Sequence, residues 1–126
     1  MRAILIRAAM LAATLVAVPA AFAAQPAVSF RTIEFNAGDR VAEAHNALGS
    51  AIPAGTSLAT AEAVLSDAGA KCRPSRHETD TIRCLYREMS AADESFDDIR
   101  WTTHLRTAGG LVTNLTVDRT VDRHGN

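Results

Sequence analysis

Hydrophobic residues recur at two different spacings along this chain, and the change between them comes near residue 70. Before it, Val41, Ala44, His45, Leu48 and Ile52 stand three or four residues apart, and Leu58, Ala61, Val64, Leu65 and Ala68 repeat the pattern. That is the spacing of a helix with one apolar stripe. It predicts helices over residues 40–52 and 58–68. Asp39 is placed to cap the first, and Thr56 or Ser57 the second, because an oxygen there accepts a free first-turn amide. Gly49 weakens the first helix near its end, and Pro53-Ala54-Gly55 separates the two. Gly69 suits the left-handed residue that ends the second.

After residue 70 the period is two. Residues 71–74 read as a short strand closed by Pro74. Residues 81–89 place Ile82, Cys84 and Tyr86 on one face and Arg83, Leu85 and Arg87 on the other. Residues 99–107 alternate most clearly, with Ile99, Trp101, Thr103 and Leu105 against Arg100, Thr102, His104 and Arg106. Residues 111–118 return with Leu111, Leu115 and Val117 against Asn114, Thr116 and Asp118. Gly109-Gly110 supplies the hairpin turn, since paired glycines accept positive φ. Residues 75–80 read as a polar turn and residues 90–98 (SAADESFDD) as an acidic loop. Residues 28–35 alternate loosely through Val28, Phe30, Ile33 and Phe35 and predict a short strand or an extended arm. The expected fold is α+β: two N-terminal helices packed on one face of a four-stranded antiparallel sheet, with the other face polar and solvated.

The first 23 residues fit neither pattern. Arg2 and Arg7 precede an apolar run from Ala8 to Val18, interrupted only by Thr14, and Ala21-Phe22-Ala23 has the small-x-small form that signal peptidase cuts after. The run is short for a membrane span, and the cleavage pattern favours a removed signal over the rival reading of an uncleaved anchor, so no stable span is expected after cleavage. No cysteine lies at the cut, so no lipid anchor is expected there. The organisation expected is a signal peptide (1–23), a flexible or extended leader (24–38), an α+β domain (39–120) and a polar tail (121–126). The localisation expected is secreted and periplasmic.

Removing residues 1–23 leaves 11 cationic against 14 anionic side chains, a net charge of −3. That balance argues against nucleic acid or any general polyanion as partner. In an oxidising compartment Cys72 and Cys84 are expected to pair. The spacing is not that of a redox-active CxxC, and two thiols with scattered histidines lack zinc-ligand spacing.

The helix start Gly55-Thr56-Ser57, the stripe through Leu58, Ala61, Val64 and Leu65, and the closing Gly69 stand together with Trp101, Leu105 and the return Gly110-Leu111-Val112-Thr113-Asn114-Leu115. Over residues 52–118 this order resembles the small BLIP-like envelope modules of the SmpA/OmlA (BamE-type) family. The chain differs in lacking the lipoprotein cysteine and in carrying the Cys72/Cys84 pair. The resemblance implies a two-layer α+β fold and a habit of binding other proteins through the sheet or its edge loops.

Candidate chemistry is sparse. Arg83, Arg87, Arg100, His104 and Arg106 would share the polar sheet face. Guanidinium groups in such a row can receive a carboxylate-bearing partner, although antiparallel sheets commonly leave a polar face in water. Asp93, Glu94, Asp97 and Asp98 lack the ligand alternation and glycine of a calcium loop, and their charge can pair with the arginine face. His45, His77, His104 and His124 lack metal spacing, and His45 is expected at the edge of the core. Ser75, His77 and Asp80 can be written as a triad but are loop neighbours without a strained nucleophile turn. Trp101 reads as core. Asn114-Leu115-Thr116 matches a glycosylation sequon inside an expected strand.

No catalytic residue, metal or cofactor is therefore expected. The function expected is that of a periplasmic, non-enzymatic protein-interaction module linked to envelope assembly or maintenance, with another envelope protein as partner. The alternative is an inhibitor or sensor of an envelope enzyme, presenting the loop at residues 75–80.

Overall fold

The computed structural model describes residues 27–36 and 38–125, and the expected signal segment lies outside them. Three helices precede four strands in the chain. They are α1 (Phe30–Asn36), α2 (Arg40–Ala51) and α3 (Leu58–Asp67), then β1 (Lys71–Pro74), β2 (Thr81–Ala92), β3 (Ser95–Ala108) and β4 (Leu111–His124). The strands form one antiparallel sheet in the order β1-β2-β3-β4. The α+β class and the four-stranded antiparallel sheet follow the change of period near residue 70.

The helix boundaries follow local chemistry. Asp39 accepts the amide of Ala42 and caps α2. Ser57, not Thr56, caps α3 by accepting the amide of Thr60 at 3.2 Å. The Thr56 hydroxyl donates instead to the Pro53 carbonyl. Gly69 ends α3 with φ of 104°, and a Cβ there would meet the Tyr86 ring at 3.2 Å. Conformation and contact both require glycine at this position.

Four expectations change. Residues 30–36 form a helix, not a strand or an extended arm. Ser29 caps it by accepting the amide of Thr32, and its face of Phe30, Ile33 and Glu34 turns inward. Those positions are three and four apart, so the helical period prevails over the loose alternation. Residues 30–36 of the expected leader are thus part of the folded unit, because Phe30 is fully buried. The acidic loop is mostly strand: β2 and β3 pair as far as Ala92 and Ser95, leaving Asp93-Glu94 as a tight turn with Asp93 at φ of 55°. The polar tail is likewise strand as far as His124, paired with β3 through Phe96. His45 is exposed, not at the core edge.

A smaller correction concerns β4. Simple alternation puts Leu111 on one face with Leu115 and Val117, yet Leu111 is exposed while Val112 is buried. The β3–β4 register shifts between Arg106 and Thr107. One extra residue in a strand turns every side chain beyond it to the opposite face.

The core is a single cluster. Phe30, Ala44, Leu48, Ala61 and Leu65 from the helices meet Cys84, Tyr86, Trp101, Leu105 and Leu115 from the strands. Phe30 stacks on Tyr86 at 5.4 Å and tilts against Trp101 at 5.7 Å between ring centroids. Cys72 lies directly opposite Cys84 in the β1–β2 ladder and forms the expected disulfide with it. No helix among the described residues is long and apolar enough to cross a membrane.

One core residue is mismatched. Thr103 is fully buried, and its hydroxyl oxygen has no hydrogen-bond partner. Burying an unsatisfied hydroxyl costs about 1–3 kcal/mol. Thr103→Val keeps the shape and removes that cost, so it is expected to raise stability by about 1 kcal/mol, read by denaturant titration. A variant less stable than the parent would show that the hydroxyl is satisfied in solution.

Candidate binding face of the sheet

Three groups of charges bear on the sheet. The first fastens α1 to the sheet. Glu34 is 4% exposed. Its carboxylate accepts two bonds from Arg119, at 2.9 and 2.6 Å, and one from the Trp101 indole N–H at 2.9 Å. The Arg119 guanidinium also stands 5.8 Å from the centre of the Trp101 ring. Arg40 donates to the Glu34 carbonyl at 2.7 Å. Burial pushes the Glu34 carboxyl up, but the bonds from Arg119 and Trp101 and the charges of Arg119 and Arg40 outweigh it and hold it below the ordinary value. This group is structural, since it ties a seven-residue helix to β3 and β4.

The second group lies on the opposite face. Arg87 makes a bidentate pair with Asp98, Nε to Oδ1 at 2.8 Å and Nη2 to Oδ2 at 2.6 Å. Arg100 adds a bond to Oδ2 at 2.9 Å. Arg87 foremost, then Arg100, brings the Asp98 carboxyl down from 3.8 to about 2 against the opposing effect of burial. The expected pairing of the acidic stretch with the arginine face is therefore present at Asp98. Asp97, which alternation turns to the face of Trp101 instead, takes Arg123 at 3.0 Å. These pairings explain why Asp97 and Asp98 remain in a strand: cross-strand partners neutralise them.

The third group has no acidic partner. Among the described residues, no ion pair involves Lys71, Arg73, Arg76, Arg83 or Arg106. Alternation about the inward Cys72 puts Lys71 and Arg73 on the arginine face. The register sets Arg73 directly opposite Arg83, and Arg83 directly opposite His104. Like charges directly opposite one another destabilise a sheet. A concavity of about 760 Å³ opens here, and its lining includes Lys71, Arg73, Pro74, Arg83, Leu85 and Arg87.

The five residues singled out from the sequence thus have different surroundings. Arg83 and His104 are neighbours beside the concavity. Arg87 and Arg100 are neighbours bound to Asp98. Arg106 lies apart, lining a second hollow of about 520 Å³ with His77, Glu78 and Asp80. Lys71, Arg73 and Arg76 were missed. The strand K-C-R-P did carry a signal, because an inward cysteine turns both its neighbours outward.

The loop at residues 75–80 is tethered at both ends. The Ser75 amide donates to the Thr81 carbonyl and the Thr107 amide to the Asp80 carbonyl. The Ser75 hydroxyl accepts from the backbone amides of His77 and Glu78. Its role is that of a turn cap, and no bond joins it to the His77 ring. Among the described residues no group of three or more His, Cys, Asp or Glu is arranged to hold a metal ion.

Comparison of the chain with family models, with curated proteins and with solved structures gives no match.

Proposed function

We propose that this chain is a non-enzymatic protein-interaction module of the cell envelope, exported by residues 1–23 to the periplasm. Its helices cover one face of the sheet, and it recognises a partner with the other. The observation that carries this reading is the unequal treatment of the basic residues. Arg87 and Arg100 are held by Asp98, whereas, among the described residues, Arg83 and Arg106 on the same sheet face form no ion pair. Cations without an internal carboxylate, standing beside others that Asp98 holds, suit an acidic partner surface. The likeness to BLIP-like SmpA/OmlA modules supports the same use of the sheet, and the disulfide suits an oxidising compartment.

The test is capture from envelope extract. Arg83→Ser/Arg106→Ser is the variant to use, because changing Arg87 or Arg100 would strip Asp98 of its partners. The variant is expected to keep the parent's melting temperature and to lose most of the recovered partner. Equal recovery by parent and variant would remove the face from consideration. An inhibitory or sensing role is favoured by one observation, the rigid tethering of the loop at residues 75–80. A hydrolase among the captured proteins would support it.

A further inference from the structure

We propose that the β1 edge and the basic concavity beside it form one docking site for an extended acidic peptide, which adds as a fifth strand alongside β1. This rests on the reading of the sheet as a partner-binding face and names the chemistry of the partner.

Main-chain geometry comes first. β1 is the terminal strand of the sheet. Cys72 and Cys84 face each other with Cα atoms 3.9 Å apart, the close spacing of a non-hydrogen-bonded antiparallel pair. In such a pair the amide and carbonyl of each residue point away from the other strand. Those of Cys72 therefore point to the open edge. Among the described residues no other segment bonds to them. An incoming strand would find a donor and an acceptor there, held in place by the disulfide.

Side-chain chemistry comes second. An added strand places alternate residues over the face that carries Lys71 and Arg73. Carboxylates two residues apart would stand beside these two cations and within reach of Arg83 behind them. The like-charge juxtaposition of Arg73 and Arg83, unfavourable in the free protein, becomes favourable around a carboxylate. Leu85 and Pro74 give the concavity an apolar wall for the methylene groups of glutamate.

Protection against edge-to-edge aggregation accounts for a short edge strand with Lys71 and Pro74. It does not account for Arg83, which is one strand in, nor for setting Arg73 against it. A bare phosphate or polyphosphate would satisfy the cations but would leave the main-chain groups of Cys72 unused, so a peptide fits both halves of the site.

The test uses fluorescein-labelled peptides of ten residues and fluorescence anisotropy on the purified protein. One peptide alternates glutamate with threonine. A second has the same composition with its glutamates in one block, and a third is the alternating peptide N-methylated at every second amide. The alternating peptide is expected to bind, and Arg73→Ser/Arg83→Ser to weaken it about tenfold or more. Arg31→Ser, exposed on α1 across the sheet from the concavity, is expected to leave its affinity unchanged. The blocked and N-methylated peptides are expected to bind at least about fivefold more weakly, because one cannot place its carboxylates on a single face and the other cannot pair with the edge.

Equal binding of all three peptides would overturn strand addition, and so would binding of inorganic polyphosphate with none of the peptides. An unchanged affinity in Arg73→Ser/Arg83→Ser, with its melting temperature at the parent's value, would overturn the site. If the peptides fail while Arg83→Ser/Arg106→Ser still loses the envelope partner, the face binds a folded surface and only this inference falls.

Discussion

Arg119→Ala is expected to lower the free energy of unfolding by about 3 kcal/mol or more, the usual cost of leaving one member of a buried ion pair uncompensated. For a domain of this size, at about 4 °C or more for each kcal/mol, the melting temperature should fall by about 12 °C or more. Glu34 is 4% exposed and takes two of its three side-chain bonds from Arg119. Without the guanidinium, only the Trp101 N–H and the charge of Arg40, 3.9 Å away, remain to oppose burial. Removing both charges together, as Glu34→Gln/Arg119→Met, should recover much of the loss, because an apolar stem over Trp101 carries no desolvation penalty. A single-variant loss below about 0.5 kcal/mol, the range of a surface pair, would mean that α1 is not fastened in this way.

The same pair sets a pH dependence of known sign. The folded Glu34 carboxyl lies below its ordinary value of 4.5, and that of Asp98 is lowered from 3.8 to about 2. A carboxyl depressed by folding contributes stability above its unfolded value and loses it as pH falls through the folded one. The parent should therefore hold these contributions at neutral pH and lose them below the ordinary carboxylate range. In Arg119→Ala the sign at Glu34 reverses, because burial then raises the carboxyl. The gap in stability between parent and variant should narrow as pH falls from neutral towards 4.5. A gap that stays constant over that range would show that Glu34 is not what Arg119 neutralises.

Loss of the Cys72–Cys84 disulfide is expected to cost about 3 kcal/mol, on the chain-entropy account of closing a loop of this length in the unfolded chain. The two residues are 12 apart in sequence and directly opposite in the ladder. The cross-link thus joins an edge strand of four residues to the long strand beside it. Without it, β1 keeps only a few ladder bonds and its contact with α3, so its edge should open locally before the whole domain unfolds. Cys72→Ser/Cys84→Ser, or reduction of the parent, should lower the melting temperature by about 12 °C or more. Hydrogen exchange should quicken first in residues 71–75. A variant melting within a few degrees of the parent, with β1 equally protected, would mean that the sheet alone holds this strand. The acidic-peptide site should fail with it, because the Cys72 amide and carbonyl would no longer be presented in place.

The sequence-based reading succeeded where a pattern is local. The capping residues Asp39 and Ser57, the stop at Gly69 and the Gly109-Gly110 hairpin each depend on a few adjacent residues, and each is where the pattern places it. It failed where a distant partner decides the outcome. Ser90 to Asp98 looked like a loop because aspartate is a poor strand former in isolation. In the fold, Arg87, Arg100 and Arg123 supply the countercharge, and the ladder continues. Residues 121–126 look like a tail because no apolar period runs through them, yet β4 continues to His124. Arg119 is held by Glu34, 85 residues earlier in the chain, which no window along the sequence can reveal.

The binding face was half legible. Alternation alone put Arg83, Arg87, Arg100, His104 and Arg106 on one side of the sheet. It could not separate the arginines held by Asp98 from those left free, since all have the same local setting. Nor could it join Lys71 and Arg73 to the row, because that depends on β1 lying antiparallel to β2 with Cys72 opposite Cys84.

By itself, then, the order of residues determined the α+β class, the number of strands and the pairing of the cysteines, because hydrophobic period, capping and turn chemistry act over a few neighbours. Only the tertiary structure decided that α1 is a helix buried by Phe30 and Glu34, that the acidic stretch and the tail are strand, and which cations remain without an internal partner. Those outcomes depend on charges and surfaces brought together from opposite ends of the chain, and their energies exist only once the sheet has formed.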